Sequence, residues 1–171
     1  MFILMLAMWA VVIYSLRIAV FGNPLPQLVA RQSTELLNYL DQRMESRGIS
    51  LEPVGEEADF IRRFSRSALI EILAFTIEIG LLLFFIFIWE FEHEFFFWLC
   101  VGLLCKNLAV FGFSWHYSRI WPKQEGLFKH LLNLPGWLKH LDRASASLSA
   151  AVFLVLLIHI FNLLPGIGGG G

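Results

Sequence analysis

Four stretches of this chain are apolar for long enough to cross a bilayer, and polar positions separate them in a regular way. A spanning helix needs ~20 mostly apolar residues for a hydrocarbon core of roughly 30 Å. Residues 67–89 and 95–118 meet that condition fully. Residues 148–164 are shorter but almost wholly apolar, and residues 1–21 carry one charge, Arg17, near the end where it can snorkel to an interface. The first stretch lacks a basic leader and an A-x-A-like site before Gly22, so it reads as a retained helix rather than a cleaved signal. The pattern predicts an all-α integral membrane protein with four transmembrane helices plus amphipathic interfacial helices, residues 1–171 forming a single membrane domain.

The two long connections have helical periodicity of their own. In 22–66, after Asn23-Pro24-Leu25-Pro26, the positions Leu28, Val29, Leu36, Leu37, Leu40 and Met44 recur at helical spacing. They predict one amphipathic helix ending near Gly48. Pro53 and Gly55 break the chain again, and a helix starting at Glu56 is expected to run unbroken into the second span. The segment 119–147 shows two short amphipathic pieces divided by Leu134-Pro135-Gly136. Leu127, Phe128, Leu131 and Leu132 form one apolar face, and Trp137, Leu138 and Leu141 the next. Both pieces are expected either to lie flat at the interface or to form a packed connector against another subunit. Lys123, Lys129, His130, Lys139 and Arg143, with Trp137, would meet lipid head groups there, anionic phospholipid such as cardiolipin included.

Composition agrees: 57% of the residues are hydrophobic and only 16% charged, where a soluble domain carries about a quarter charged. Disordered, coiled-coil and basic nucleic-acid-binding classes are thereby excluded, and two cysteines make no disulfide framework. The net charge of -1 conceals a division. Six basic residues lie in 22–66, five in 119–147, and none in the Glu90–Glu94 turn or beyond the last span. By the positive-inside rule both basic loops face the matrix or cytoplasm, with both termini and the acidic turn opposite.

Three ionisable residues fall inside the paired second and third spans: Glu71, Glu78 and Lys106. Taking the turn as centred on Glu92, Glu78 lies fourteen residues before it and Lys106 fourteen after, so equal rise brings them to one depth. An intramembrane Glu78–Lys106 ion pair is expected. Gly102, Cys105, Ala109 and Gly112 form a strip of small side chains expected to allow close packing at that pair. Glu71, seven residues from Glu78 and so on the same face, is a second buried charge for which Arg17 or His116 are the expected partners.

No metal or catalytic constellation emerges. Cys100 and Cys105 diverge around a helix. His116 and His159 fall on opposite leaflets, which disfavours a shared haem iron; a single His159 pigment ligand is the lesser alternative to pairing with Asn162. There is no phosphate-binding loop, nucleophile elbow or zinc-protease motif. No cofactor and no enzymatic activity are expected.

Leu16-x-Ile18 followed by Pro24-Leu25, and later Glu52-Pro53-Val54-Gly55-Glu56-Glu57-Ala58, resemble motifs of the optic-atrophy-three family of mitochondrial membrane proteins. In that family a related motif introduces an apolar helix bearing glutamates; here that helix carries Glu71 and ends at Trp89-Glu90-Phe91. The resemblance covers residues 16–91. It departs in LLLFFIFI, which replaces a glycine-rich stretch, and in two further spans that replace a charged tail. The resemblance implies a mitochondrial inner-membrane location and a role in membrane organisation. The expected function is a non-catalytic accessory subunit of a multi-subunit complex, such as ATP synthase or a respiratory complex, whose partners are other membrane subunits and anionic lipids rather than nucleic acid. The alternative is a small proton or ion transporter or channel subunit using Glu78, Lys106 and Glu71.

Overall fold

The computed structural model describes residues 2–45, 55–91, 93–120 and 126–163. Among these every regular element is a helix: α1 Phe2–Phe21, α2 Pro24–Ala30, α3 Thr34–Glu45, α4 Glu56–Phe87, α5 Glu94–Ile120, α6 Leu127–Leu132 and α7 Gly136–Leu163. α1, α4, α5 and α7 are each long and apolar enough to cross a membrane. Glu92, the stop at Gly48, the motif residues 52–54, Lys123 and the terminal glycines lie outside the described residues.

Four spans of apolar residues have no aqueous driving force to pack, yet their inner faces are closely fitted. Met8 and Val12 of α1, Leu82 and Phe85 of α4, Cys100 of α5, and Phe153, Leu156 and Ile160 of α7 form one fully buried core. The outward faces expose Ile13, Leu69, Ile72, Phe87, Trp98 and Ile158, as expected where lipid is the solvent. α1 lies along α7 more extensively than any other pair. Gly22 sits against the Arg143 guanidinium, which puts the end of α1 beside the first turns of α7.

α4 is 32 residues long, ~48 Å at 1.5 Å per residue, and outruns the hydrocarbon core. Its protruding first turns enter a second, smaller core: Phe60 packs with Val29 of α2, Leu37 and Leu40 of α3, and Phe128 of α6. The Phe60, Phe64 and Phe128 rings meet at 5.3–6.0 Å. α2, α3 and α6 thus make a helical cap on one end of the bundle.

Two expectations need correction. The first amphipathic stretch is two helices, because the side chain of Ser33 accepts from the Leu36 amide at 3.3 Å and restarts the chain. The turn Arg31–Ser33 between them lets α2 and α3 reach different neighbours. The second basic piece is not a separate flat segment either. Pro135 and Gly136 stop α6, but they also start α7, which continues unbroken from Gly136 through Trp137–Arg143 into the last span. Proline is tolerated immediately before a helix because its missing N–H would have no partner there.

α6 is held by a capping contact across the chain. Asp41 of α3 accepts the Phe128 and Lys129 amides at 3.0 and 3.3 Å, which neutralises the open N-terminus of this six-residue helix. A Cβ on Gly126 would stand 2.1 Å from the Asp41 Cγ, so only glycine admits that approach.

Candidate functional site

In an apolar span every backbone group is satisfied by its own helix, so side-chain polar groups must find one another. Glu78 on α4 is 9% exposed. Its Oε1 accepts from Asn107 Nδ2 at 2.8 Å and from Ser149 Oγ at 2.7 Å. Lys106 donates to the same Ser149 Oγ at 2.7 Å and to the Ser145 carbonyl at 3.2 Å. Lys106 Nζ lies 3.9 Å from Glu78 Oε1. The charges therefore stand at one depth with a hydroxyl between them: Ser149 accepts from the ammonium and donates to the carboxylate. Asn107 and Ser149 were not singled out from the sequence. Their signal was present, because Ser145 and Ser149 are four apart on one helix face and Asn107 is a polar residue inside a span.

Glu71, two turns away on α4, takes a different partner from those expected. Asn23 Nδ2 donates to Glu71 Oε1 at 2.7 Å and to Asp142 Oδ2 at 3.3 Å. Neither Arg17 nor His116 is hydrogen-bonded or ion-paired to Glu71, and both are exposed. The reason is the turn after α1. Gly22 adopts φ +83°, its amide closes on Ile18 O at 2.7 Å, and the chain reverses to bring Asn23 inward. Asn23 then caps α2, accepting the Leu25 amide at 2.9 Å, while its amide nitrogen faces the carboxylates. Gln27 Nε2 also donates to Phe21 O across this turn. Glu71 Oε2 and the Tyr14 hydroxyl are buried with no hydrogen-bond partner among the described residues.

Both groups open onto one cavity of about 560 Å³ between α1, α4, α5 and α7. Its wall is apolar for much of its area, through Val11, Ile18, Ile72, Phe75 and Val110, and carries Glu71, Glu78, Asp142 and Lys106. Three carboxylates thus share the space with one ammonium group.

The strip of small residues on α5 does not pack at this site. Gly102, Cys105, Ala109 and Gly112 are all exposed, and among the described residues nothing lies within 4 Å of a Cβ built on either glycine. Cys100, Leu103 and Asn107 occupy the inner face instead. His159 stacks on Phe96 with centroids 3.8 Å apart and stands near Phe91 at 6.3 Å, within the aromatic group at the acidic end. The side chain of Asn162 lies outside the described residues. Among the described residues no three His, Cys, Asp or Glu side chains converge as a metal centre would require.

Of the expected head-group residues, Lys129, Trp137, Lys139 and Arg143 are exposed and His130 half-buried. Trp137 packs edge-on against Phe113 at 5.6 Å. His130, Lys139 and Arg143 line a second cavity of about 400 Å³ under the helical cap. Comparison of the chain with protein-family models, curated proteins and solved structures finds no match.

Proposed function

We propose that this multi-pass membrane protein takes a proton or small monovalent cation into its intramembrane cavity, as a small transporter or channel subunit. The observation that supports this reading is the excess of carboxylates. A lysine buried for assembly alone needs one counter-charge, and Glu78 supplies it. Glu71 and Asp142 face the same cavity, and the bond they share is to a neutral amide. Buried charges without a partner cost several kcal/mol each, a cost that a bound proton or cation removes. Location in the mitochondrial inner membrane, with the basic loops on the matrix side, rests on the resemblance of residues 16–91 and on the charge division. It belongs to the same proposal. Purified protein in liposomes loaded with a proton-, sodium- or potassium-sensitive dye tests it, each under an imposed gradient of that ion. Flux is expected with the wild type and is expected to vanish in Glu78→Gln and Glu71→Gln. A folded wild type that passes no proton, sodium or potassium overturns the reading.

A second reading, an accessory subunit of an inner-membrane assembly with anionic-lipid contacts, is favoured by the unoccupied strip on α5. Small residues facing outward let another helix approach closely. Mild-detergent native electrophoresis with identification of co-migrating chains tests it. Gly102→Leu is expected to release the chain from its complex, and wild type that migrates alone removes this reading.

A further inference from the structure

The two cavities meet at one place. Asn23, Leu25, Glu71, Val110 and Asp142 line both of them. On one side of these residues lie Glu78 and Lys106; on the other lie His130, Lys139 and Arg143 at the end covered by the helical cap. The polar part of the partition is a single bridge, in which the Asn23 amide spans the carboxylates of two different spans. We propose that Asn23 is the gate between an interfacial vestibule and the inner cavity, and that an entering monovalent cation or proton opens it by taking the carboxylate oxygens from its amide. The proposal rests on the transport reading above for what passes, but not for the existence of the gate.

The geometry explains why the device works in this position. Glu71 and Asp142 stand on long helices packed in the bundle, whereas Asn23 stands in the two-residue turn between α1 and α2. Each carboxylate oxygen lies within 3.3 Å of one nitrogen, so the two are no more than about 6 Å apart. At that distance in a low-dielectric setting, two ionised carboxylates repel strongly unless a donor or cation stands between them. The amide is a neutral donor, weaker than a full positive charge at the same oxygens. A cation therefore displaces it, and rotation of one short side chain suffices to let it go. Because Asn23 Oδ1 also caps α2, the closed gate is tied to the position of the helical cap.

Accessibility of the inner cavity tests the gate without reference to flux. With Cys100 and Cys105 replaced by alanine, Ser15→Cys places a near-isosteric reporter thiol on the inner cavity, and Leu138→Cys a control thiol on the vestibule. A membrane-impermeant quaternary-ammonium methanethiosulfonate is the probe. Asn23→Ser keeps a good capping oxygen for α2 but removes the bridging amide, and Asp142→Ala removes one anchor while leaving the cap intact. Each is expected to speed labelling at position 15 by at least about tenfold, since one buried hydrogen bond of about 1.4 kcal/mol corresponds to that ratio, with position 138 unchanged. Equal rates at position 15 in wild type and both variants overturn the gate, whatever the flux result. Faster labelling in a protein whose wild type passes no ion leaves the gate standing and removes the transport reading. Should Asn23→Ser fail to fold, as judged by size-exclusion profile, Asp142→Ala carries the test.

Discussion

Lys106 and Glu78 meet through Ser149 more closely than they meet each other: the hydroxyl is 2.7 Å from both, while the two charges are 3.9 Å apart. A hydroxyl can both accept and donate, so it joins cation and anion without forcing either long side chain off its own helix. The arrangement ties α4, α5 and α7 together, and it leaves Lys106 beside the cavity with its one remaining donor.

Removing one charge is expected to cost far more than removing both. Glu78→Leu leaves a buried ammonium without its counter-charge and should destabilise by roughly 3–5 kcal/mol. Glu78→Leu combined with Lys106→Leu should recover most of that. Reversible unfolding in a detergent titration measures the coupling, and a double variant as unstable as the single one contradicts it.

Ser149→Ala strands two groups at once, because Lys106 loses an acceptor and Glu78 a donor. A loss of about 1–3 kcal/mol is expected by the same titration. Ser147→Ala is the comparison. That hydroxyl is exposed and bonds only its own helix at Arg143 O, so little change is expected there.

Gly126→Ala puts a methyl group into the Asp41 side chain, which caps α6. A destabilisation of about 1–3 kcal/mol is expected. Asp41→Gly relieves the clash, because the Asp41 Cβ as well as its Cγ stands within 2.4 Å of the added methyl, while losing the cap, so the two substitutions should be strongly non-additive. Additive effects in a double-mutant cycle count against this contact.

The charge division makes a topological prediction. In sealed, oriented vesicles, thiols at His93→Cys and at Lys129→Cys should react with an impermeant reagent from opposite sides. Thiols at Gln32→Cys and Lys129→Cys should react from the same side. Labelling of positions 93 and 129 from one side would refute the positive-inside assignment.

Glu78 and Lys106 were legible in the sequence because equal residue counts from a turn give equal depth, whatever the bundle looks like. The partner of Glu71 was not. Asn23 lies 48 residues away, and its position depends on a positive-φ glycine and on how α1 packs against α7. The strip Gly102–Gly112 shows the same limit. Spacing put its members on one face of α5, but only the packing of α4 and α7 selected the face of Cys100, Leu103 and Asn107 as the inner one. In the basic loop, the Leu134-Pro135-Gly136 break divides two short amphipathic patterns in the sequence, yet the same residues begin a helix. Local sequence marks a boundary there without stating which side of it continues into the span.

The amino-acid sequence by itself determined the solvent of this protein, the number of its long apolar helices and the common level of Glu78 and Lys106 along them. Those properties follow from the length and order of apolar runs, which act locally along the chain. The tertiary structure decided which polar groups share a cavity, because side-chain partners depend on the rotation of each helix about its own axis. Rotation is set by packing among the spans, and four nearly uniform apolar surfaces encode it only through their few polar and small residues. That is why Asp142, unmarked in the linear pattern, and Asn23, marked there only as part of a chain break, stand at the centre of the folded site.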